Sequence, residues 1–378
     1  MQGESKHRGT IQGLLDIAGI KINGKQPYDI QVHNDDVYAR ILGGGTLGLG
    51  EAYMDGWWSC QQLDAFFSRV LEANLSTSIT TLKDKLRLLQ AHLTNRQTHN
   101  RAREVAIKHY DIGNDLYEKM LDKRMIYTCG YWQDAENLDQ AQEHKLELVC
   151  RKLKLEPGMK VLDIGCGWGG AAQYMAEKYD VEVTGVSISK EQIALAKDKI
   201  ECPNVTFELI DYREISGKYD RIYSLGMFEH VGFKNYETFF EVVEKSLNDQ
   251  GLFLLHTIGH RQTINKVDPW ISQYIFPNSI LPSAELIGKH SAPLFNLEDW
   301  HNFGHDYVKT LWAWWRNLEA NWDQIPNYDE RFQRMWHYYL MSCTATFQSS
   351  RNHLWQIVFS KGILDQPYSA IRSATQAI

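Results

Sequence analysis

The spacing of apolar residues changes along the chain, and each change marks an element. Ile11–Ala18 has helical spacing and stops at Gly19. Tyr28-Asp29-Ile30-Gln31-Val32 alternates apolar and polar as a strand does, and Gln62–Ala73 returns to an amphipathic helical period. Further on, the short apolar run Val161–Ile164 and the segments Val181–Val186, Val205–Leu209, Tyr219–Ser224 and Leu252–Leu255 read as strands. Helical stretches lie among them, at Glu143–Leu153, Ala171–Lys178, Lys190–Lys199 and Tyr236–Leu247. Alternating strand and helix predicts an α/β fold: a doubly wound, mostly parallel, Rossmann-like sheet behind a small, mainly helical N-terminal domain. Ligands of such sheets bind beyond the carboxyl ends of the strands. That rule gathers Asp163–Gly170, Ser187–Gln192, Asp211-Tyr212, Met227–His230 and His256–Ile258 around one crevice.

The strongest local signal is Val161-Leu162-Asp163-Ile164-Gly165-Cys166-Gly167-Trp168-Gly169-Gly170, a buried strand followed by a tight glycine turn and a helix start. The helix N-terminus offers free N–H groups and the positive end of a dipole. Gly165, Gly167 and Gly170 also satisfy the dinucleotide pattern G-x-G-x-x-G, so nicotinamide and flavin remain alternatives. Two features favour S-adenosylmethionine (SAM). Asp163 stands at the strand mouth, where a carboxylate meets a cationic amino-acid portion. The next strand ends in Ser187-Ile188-Ser189, without the acid that a nicotinamide ribose calls for.

A length of 378 residues suggests about two domains. The division predicted is 1–75, a small N-terminal domain for lipid or dimer contact; 76–108, a basic amphipathic linker; and 109–378, a larger domain with an aromatic-rich lid at 260–360. In the linker Leu82, Leu86, Leu89 and Leu93 recur at helical spacing, and Lys83, Lys85, Arg87, Arg96, Arg101, Arg103 and Lys108 outnumber Asp84 and Glu104. Such a segment suits an anionic membrane surface; the alternative is a solvated interdomain helix. The net charge of −7 argues against bulk nucleic-acid binding. Six scattered cysteines form no C-x-x-C or zinc spacing, so reduced thiols in the cytoplasm, and no metal, are expected. Met1–Thr10 lacks an apolar signal core, and no window approaches the ~20 apolar residues of a membrane span. Trp57 and Trp58 read as core aromatics or as an interface or lipid-contacting patch. The aromatics of 260–360, among them Trp270, Tyr274, Phe276, Trp300, Trp314 and Trp336, read as an added pocket wall for a long apolar substrate.

These residues resemble the cyclopropane-fatty-acyl-phospholipid synthase family. The resemblance runs from about residue 11 to residue 361. It is carried by His109–Tyr117, Tyr127–Trp132, Val161–Gly170, Gly226–Gly232, Leu254–Gly259, Asp268–Ile271, Tyr274–Asn278, Asp299–Gly304 and Tyr307. It implies transfer of the SAM methyl to a cis double bond of an unsaturated acyl chain in a membrane phospholipid, followed by proton loss and ring closure. It implies a bound bicarbonate as the base, held by the Cys129 backbone, Glu229, His256, the Ile258 backbone and Tyr307. The implied SAM contacts are Tyr127, Thr128, Gly165, Gly167, Ser187, Gln192 and Tyr212. To these Asp163 and Asp211 are added from their places at strand ends, Asp211 either receiving the adenine amine or capping a helix. Cys343 aligns with a cysteine sometimes assigned as catalytic; nothing basic beside it signals a lowered pKa, and a packed thiol is the alternative. A homodimer attached peripherally to the inner face of the membrane is also implied. Two rival readings stand beside this one: a SAM enzyme that stops at a methylated or hydroxylated chain, and a lipid carrier without catalysis.

Overall fold

The five expected strands form parallel strands of a seven-stranded sheet in the computed structural model, which describes residues 2–75, 113–264 and 267–375. The strands are β1 (Lys160–Ile164), β2 (Glu182–Ser187), β3 (Val205–Leu209), β4 (Tyr219–Leu225), β5 (Leu247–His260), β6 (Asn296–Asn302) and β7 (Asn352–Ser360), in the order β3-β2-β1-β4-β5-β7-β6. Pairing is parallel from β3 through β5, and β6 runs antiparallel to β7. The order reverses at β1, between β2 and β4, so the crevice opens at the ends of those strands. Alternate residues of each strand feed opposite faces. Val161, Val183, Tyr223, Leu252 and Leu254 pack under the helices Leu138–Lys152 and Gly170–Tyr179. Leu162, Ile164, Ile222, Phe253 and Leu255 pack under Tyr236–Ser246 on the other side.

Two strands are additional to the sequence expectation. β6 was hidden because Asn-Leu-Glu-Asp-Trp-His-Asn is a polar edge strand with no clear period. β7 was hidden because Leu-Trp-Gln-Ile-Val-Phe is a continuous apolar run, which periodicity cannot tell from a buried helix. Both lie in the aromatic stretch.

The chain divides into two compact units. The sheet unit holds 113–264, 278–313 and 353–375. The other holds 2–75, 267–277 and 314–352. In this second unit the N-terminal helices share a core with later segments. Helix Leu63–Glu72 packs on Glu330–Gln348. Phe67 lies edge-on to Tyr338 at 4.9 Å between centroids, and Tyr338 leans on Trp270 at 4.3 Å. The glycine-rich Ile41–Gly50 stretch is helical, within Val37–Met54, broken at Gly45 by a φ of 58°. The expected strand at Tyr28–Val32 shrinks to Gln31–Val32, paired with Trp58–Ser59. Trp58 is fully buried, whereas Trp57 is half-buried beneath the Arg40 guanidinium. The basic segment 76–108 and the motif start at His109 lie outside the described residues. Among those described, no helix is long and apolar enough to cross a membrane.

Candidate active site

The glycine turn after β1 has the backbone that its sequence requires. Gly165, Gly167 and Gly169 take φ values of 89°, 54° and 84°, open to glycine and costly for other residues. A Cβ on Gly165 would lie 2.6 Å from Met227 Cβ, while one on Gly167 would meet nothing within 4 Å. The turn is therefore tight on its protein side and open where a ligand would approach the N-terminus of helix Gly170–Tyr179.

Around it stand the other residues expected to hold SAM. Asp163 is buried within β1 and accepts from the hydroxyl of Tyr223 at 2.8 Å, its register partner on β4. Burial pushes its carboxyl up to about 7, against the pull of Tyr223 and Lys145. Ser187 closes β2, and its hydroxyl donates to Gln192 Oε1 at 3.3 Å, while Ser189 caps the helix that carries Gln192. Asp211 serves as a cap: its carboxylate accepts from the Arg213 N–H and is gripped by the Arg213 guanidinium through both oxygens. Tyr212 is packed edge-on to Phe239, its buried hydroxyl without a partner among the described residues, and burial pushes it up to about 12. Tyr127 lies edge-on to Tyr117 at 5.2 Å.

Thr128 and Cys129 are held by a polar face that the sequence reading missed. Gln142, Lys145 and Lys152 share one side of helix Leu138–Lys152 with Val149, and all are buried. Gln142 donates to the carbonyl of Thr128 at 2.7 Å, and the Lys145 ammonium donates to its hydroxyl at 3.0 Å. Burial pushes Lys145 down to about 8, with the Asp122 carboxylate holding it up. Polar residues at helical spacing on a face that otherwise faces a core are an anomaly the sequence does display. Thr310 closes the other side: its hydroxyl accepts from the Gly130 N–H at 3.1 Å and from the Trp132 indole at 2.9 Å. The Cys129 thiol is fully buried and pushed well above its ordinary value, so its side chain is inert and only its backbone is of use.

Glu229 and His256 come together because β4 and β5 are register partners. Leu225 pairs with His256, and the Gly226 N–H donates to the His256 carbonyl at 2.9 Å. Glu229 follows β4 in a short 3-10 turn and is 6% exposed. Its Oε1 accepts from the Ile258 N–H at 2.6 Å, and among the described residues its Oε2 has no hydrogen-bond partner. Ile258 thus acts through Glu229, since its N–H is given to the carboxyl group. Burial pushes that carboxyl up to about 7, opposed by the Ile258 bond. His256 is 1% exposed and edge-on to Phe303, and its Nε2 is unpartnered among the described residues. Burial, aided by the positive charges of Lys145 and Lys152, pushes it well below the usual histidine range, so the ring is neutral. Unpartnered buried polar atoms are costly, and two on neighbouring strand ends point to a polar ligand. Tyr307 is buried in the first turn of helix His305–Glu319.

Cys343 belongs to the other unit, on helix Glu330–Gln348. Burial and the nearby Asp268 push its thiol up to about 12, the opposite of an activated nucleophile. Among the described residues no three His, Cys, Asp or Glu side chains are placed to hold a metal.

A β3-β2-β1-β4-β5-β7-β6 sheet with a glycine turn at its switch point and an acid on β1 defines the class: a SAM-dependent methyltransferase. The model of the mycolic acid cyclopropane synthetase family matches residues 97–357, and the chain belongs to that family. It is 54% identical over 352 residues to the cyclopropane-fatty-acyl-phospholipid synthase of Escherichia coli K12, covering 93% of this chain and 92% of that one. Among solved structures, the cyclopropane synthase MmaA2 of Mycobacterium tuberculosis superimposes with a TM-score of 0.65 at 29% identity, over 71% of this chain and all of that one. The mycolic acid cyclopropane synthase CmaA1, complexed with SAH and CTAB, gives 0.62 at 30% identity, over 68% of this chain and 97% of that one.

Proposed function

We propose that the protein transfers the methyl carbon of SAM, as a methylene bridge, to the cis double bond of unsaturated acyl chains in membrane phospholipids. The product is a cyclopropane fatty acyl phospholipid. When bound, SAM supplies an electrophilic methyl on a sulfonium. Tyr127, Thr128, Gly165, Gly167, Ser187, Gln192 and Tyr212 would hold it, with Asp163 facing its cationic amino-acid end and Asp211 near its adenine. An alkene is a weak nucleophile, and its methylation leaves a cationic carbon that water would trap. The site residues must therefore exclude water, as the burial of Phe228, Phe303 and the His256 ring favours. A base must then take one proton from the transferred carbon.

The observation that carries this reading is the pair of buried, unpartnered atoms Glu229 Oε2 and His256 Nε2. A bicarbonate ion fits them: it offers acceptor oxygens to an imidazole N–H and a hydroxyl to a carboxylate, and it would supply the base. Glu229, His256, Tyr307 and the backbone at Cys129 would hold it, with Ile258 fixing Glu229. The 54% identity to a phospholipid-modifying relative favours a phospholipid substrate.

We further propose that 1–75 serves lipid or dimer contact together with 267–277 and 314–352, which pack with it, that 76–108 is a basic membrane-docking linker, and that the sheet unit is catalytic; the expected lid at 260–360 is divided between the two units, with β6 and β7 in the sheet. The protein would be a cytoplasmic homodimer resting on the inner face of the membrane. Added salt should then weaken its binding to anionic vesicles.

The deciding experiment incubates the protein with SAM and monounsaturated phospholipid vesicles and weighs the acyl chains. A gain of one CH2 per chain, with loss of the double bond, supports the proposal. A gain of CH3 plus hydroxyl makes the protein the hydroxylating relative, and no change makes it a carrier.

A further inference from the structure

Gln356 is a primary amide set in the apolar run of β7, fully buried between Trp355 and Ile357. Such a group is costly there unless its hydrogen bonds are made. Its Nε2 lies 3.3 Å from Nδ1 of His256, and among the described residues its side chain has no other partner, Oε1 being unpartnered. The amide nitrogen of glutamine can only donate. With the amide nitrogen turned toward the ring, Nδ1 of His256 is the bare, accepting nitrogen. A neutral imidazole has one proton, and it then sits on the other nitrogen. The ring is neutral because burial and two buried lysines disfavour its cation.

We propose that Gln356 is a positioning residue that fixes His256 in its Nε2–H tautomer, turning the unpartnered nitrogen into a hydrogen-bond donor aimed at the anion site. The inference rests on the anion-binding reading of Glu229 and His256. It gives the two a division of labour that their identities alone leave open: with one oxygen committed to the Ile258 N–H, Glu229 when ionised offers an acceptor at Oε2, and His256 offers a donor at Nε2. A bicarbonate, having both a hydroxyl and bare oxygens, matches that pairing, whereas the other tautomer would present it with two acceptors. Gln356 is itself placed by β6, whose His301 is its register partner and receives the buried Lys152 ammonium at Nδ1, 3.1 Å away. His301, pushed down to about 3 by burial and the neighbouring cations, stays neutral and accepts from Lys152, which burial itself pushes down to about 7 against the pull of the Asp299 carboxylate.

The test reads the tautomer directly. Full-length protein labelled with 15N on histidine, saturated with S-adenosylhomocysteine, is examined by long-range 15N–1H correlation, with His256→Gln assigning the signals. The expected result is protonated Nε2 and bare Nδ1 in the wild type from pH 6 to 8. In Gln356→Glu the new acceptor should draw the proton to Nδ1. Turnover should fall at least roughly ten-fold, as when an orienting partner of a histidine is lost, with S-adenosylhomocysteine affinity unchanged. Protonated Nδ1 in the wild type overturns the proposal without any variant. So does a Gln356→Glu protein whose tautomer and turnover match the wild type. The dependence of wild-type turnover on added bicarbonate is measured alongside. Its absence would overturn the anion reading while the tautomer assignment stands or falls on the spectra.

Discussion

Replacing Glu229 by glutamine should stabilise the protein while silencing it, and the stabilisation should depend on pH. The amide keeps the shape of the carboxyl group and the oxygen that receives the Ile258 N–H, but it carries no charge. In the folded chain burial pushes the carboxyl from 4.5 to about 7. In the unfolded chain it titrates near its ordinary value. Below 4.5 both states hold the proton and the group is neutral in each. As pH rises the unfolded chain releases its proton first, so the folded state binds more protons and stability falls. The loss is complete once pH passes about 7. The gap between 4.5 and about 7 corresponds to roughly 3 kcal/mol, at ~1.4 kcal/mol per pH unit. Glutamine has no such loss. At ~2 °C per kcal/mol for a domain of this size, Glu229→Gln should melt about 6 °C above the wild type at pH 8 and nearly level with it at pH 5. Differential scanning calorimetry of both proteins at the two pH values makes the measurement. SAM affinity should be kept and methylation of vesicle lipids lost. Equal destabilisation at both pH values would refute the reasoning, because it would mean the carboxylate is charged and well compensated in the fold.

Three further outcomes follow from the site. S-adenosylhomocysteine should bind more weakly as pH falls from 8 to 6, since protonation of Asp163 removes an attraction for the cationic amino-acid end, and Tyr223→Phe should move that fall to higher pH; calorimetric titration reads both, and a flat profile excludes the assigned role. Gly165→Ala should abolish cofactor binding and cost at least about 1–2 kcal/mol, because a positive φ and a contact of 2.6 Å to Met227 must both be relieved; an unchanged titration counts against the turn as the cofactor site. Cys343→Ala should keep turnover within roughly two-fold, as expected of a thiol with no nucleophilic activation; a turnover loss beyond ten-fold at an unaltered melting temperature would restore it as a catalytic group.

The chain by itself determined the parallel part of the sheet, because those strands are short segments with inward apolar positions closed by polar or glycine positions, and helices with their own period lie between most of them. It also determined the glycine turn, whose φ values only a few residue types tolerate. Glu229 and His256 were legible as residues just past strand ends. Tertiary structure decided their states. That Oε1 of Glu229 is committed to Ile258, that His256 is neutral, and that Gln356 faces its Nδ1 all follow from register between strands far apart in sequence. Lys145 and Lys152 stand out in the sequence only as polar residues on an apolar helical face; the fold decides that they are buried and what they bond. Local pattern reports which face of an element is apolar. It carries no information about which polar groups another element will bring against it, and in a buried site those partners set the charge and the direction of every proton.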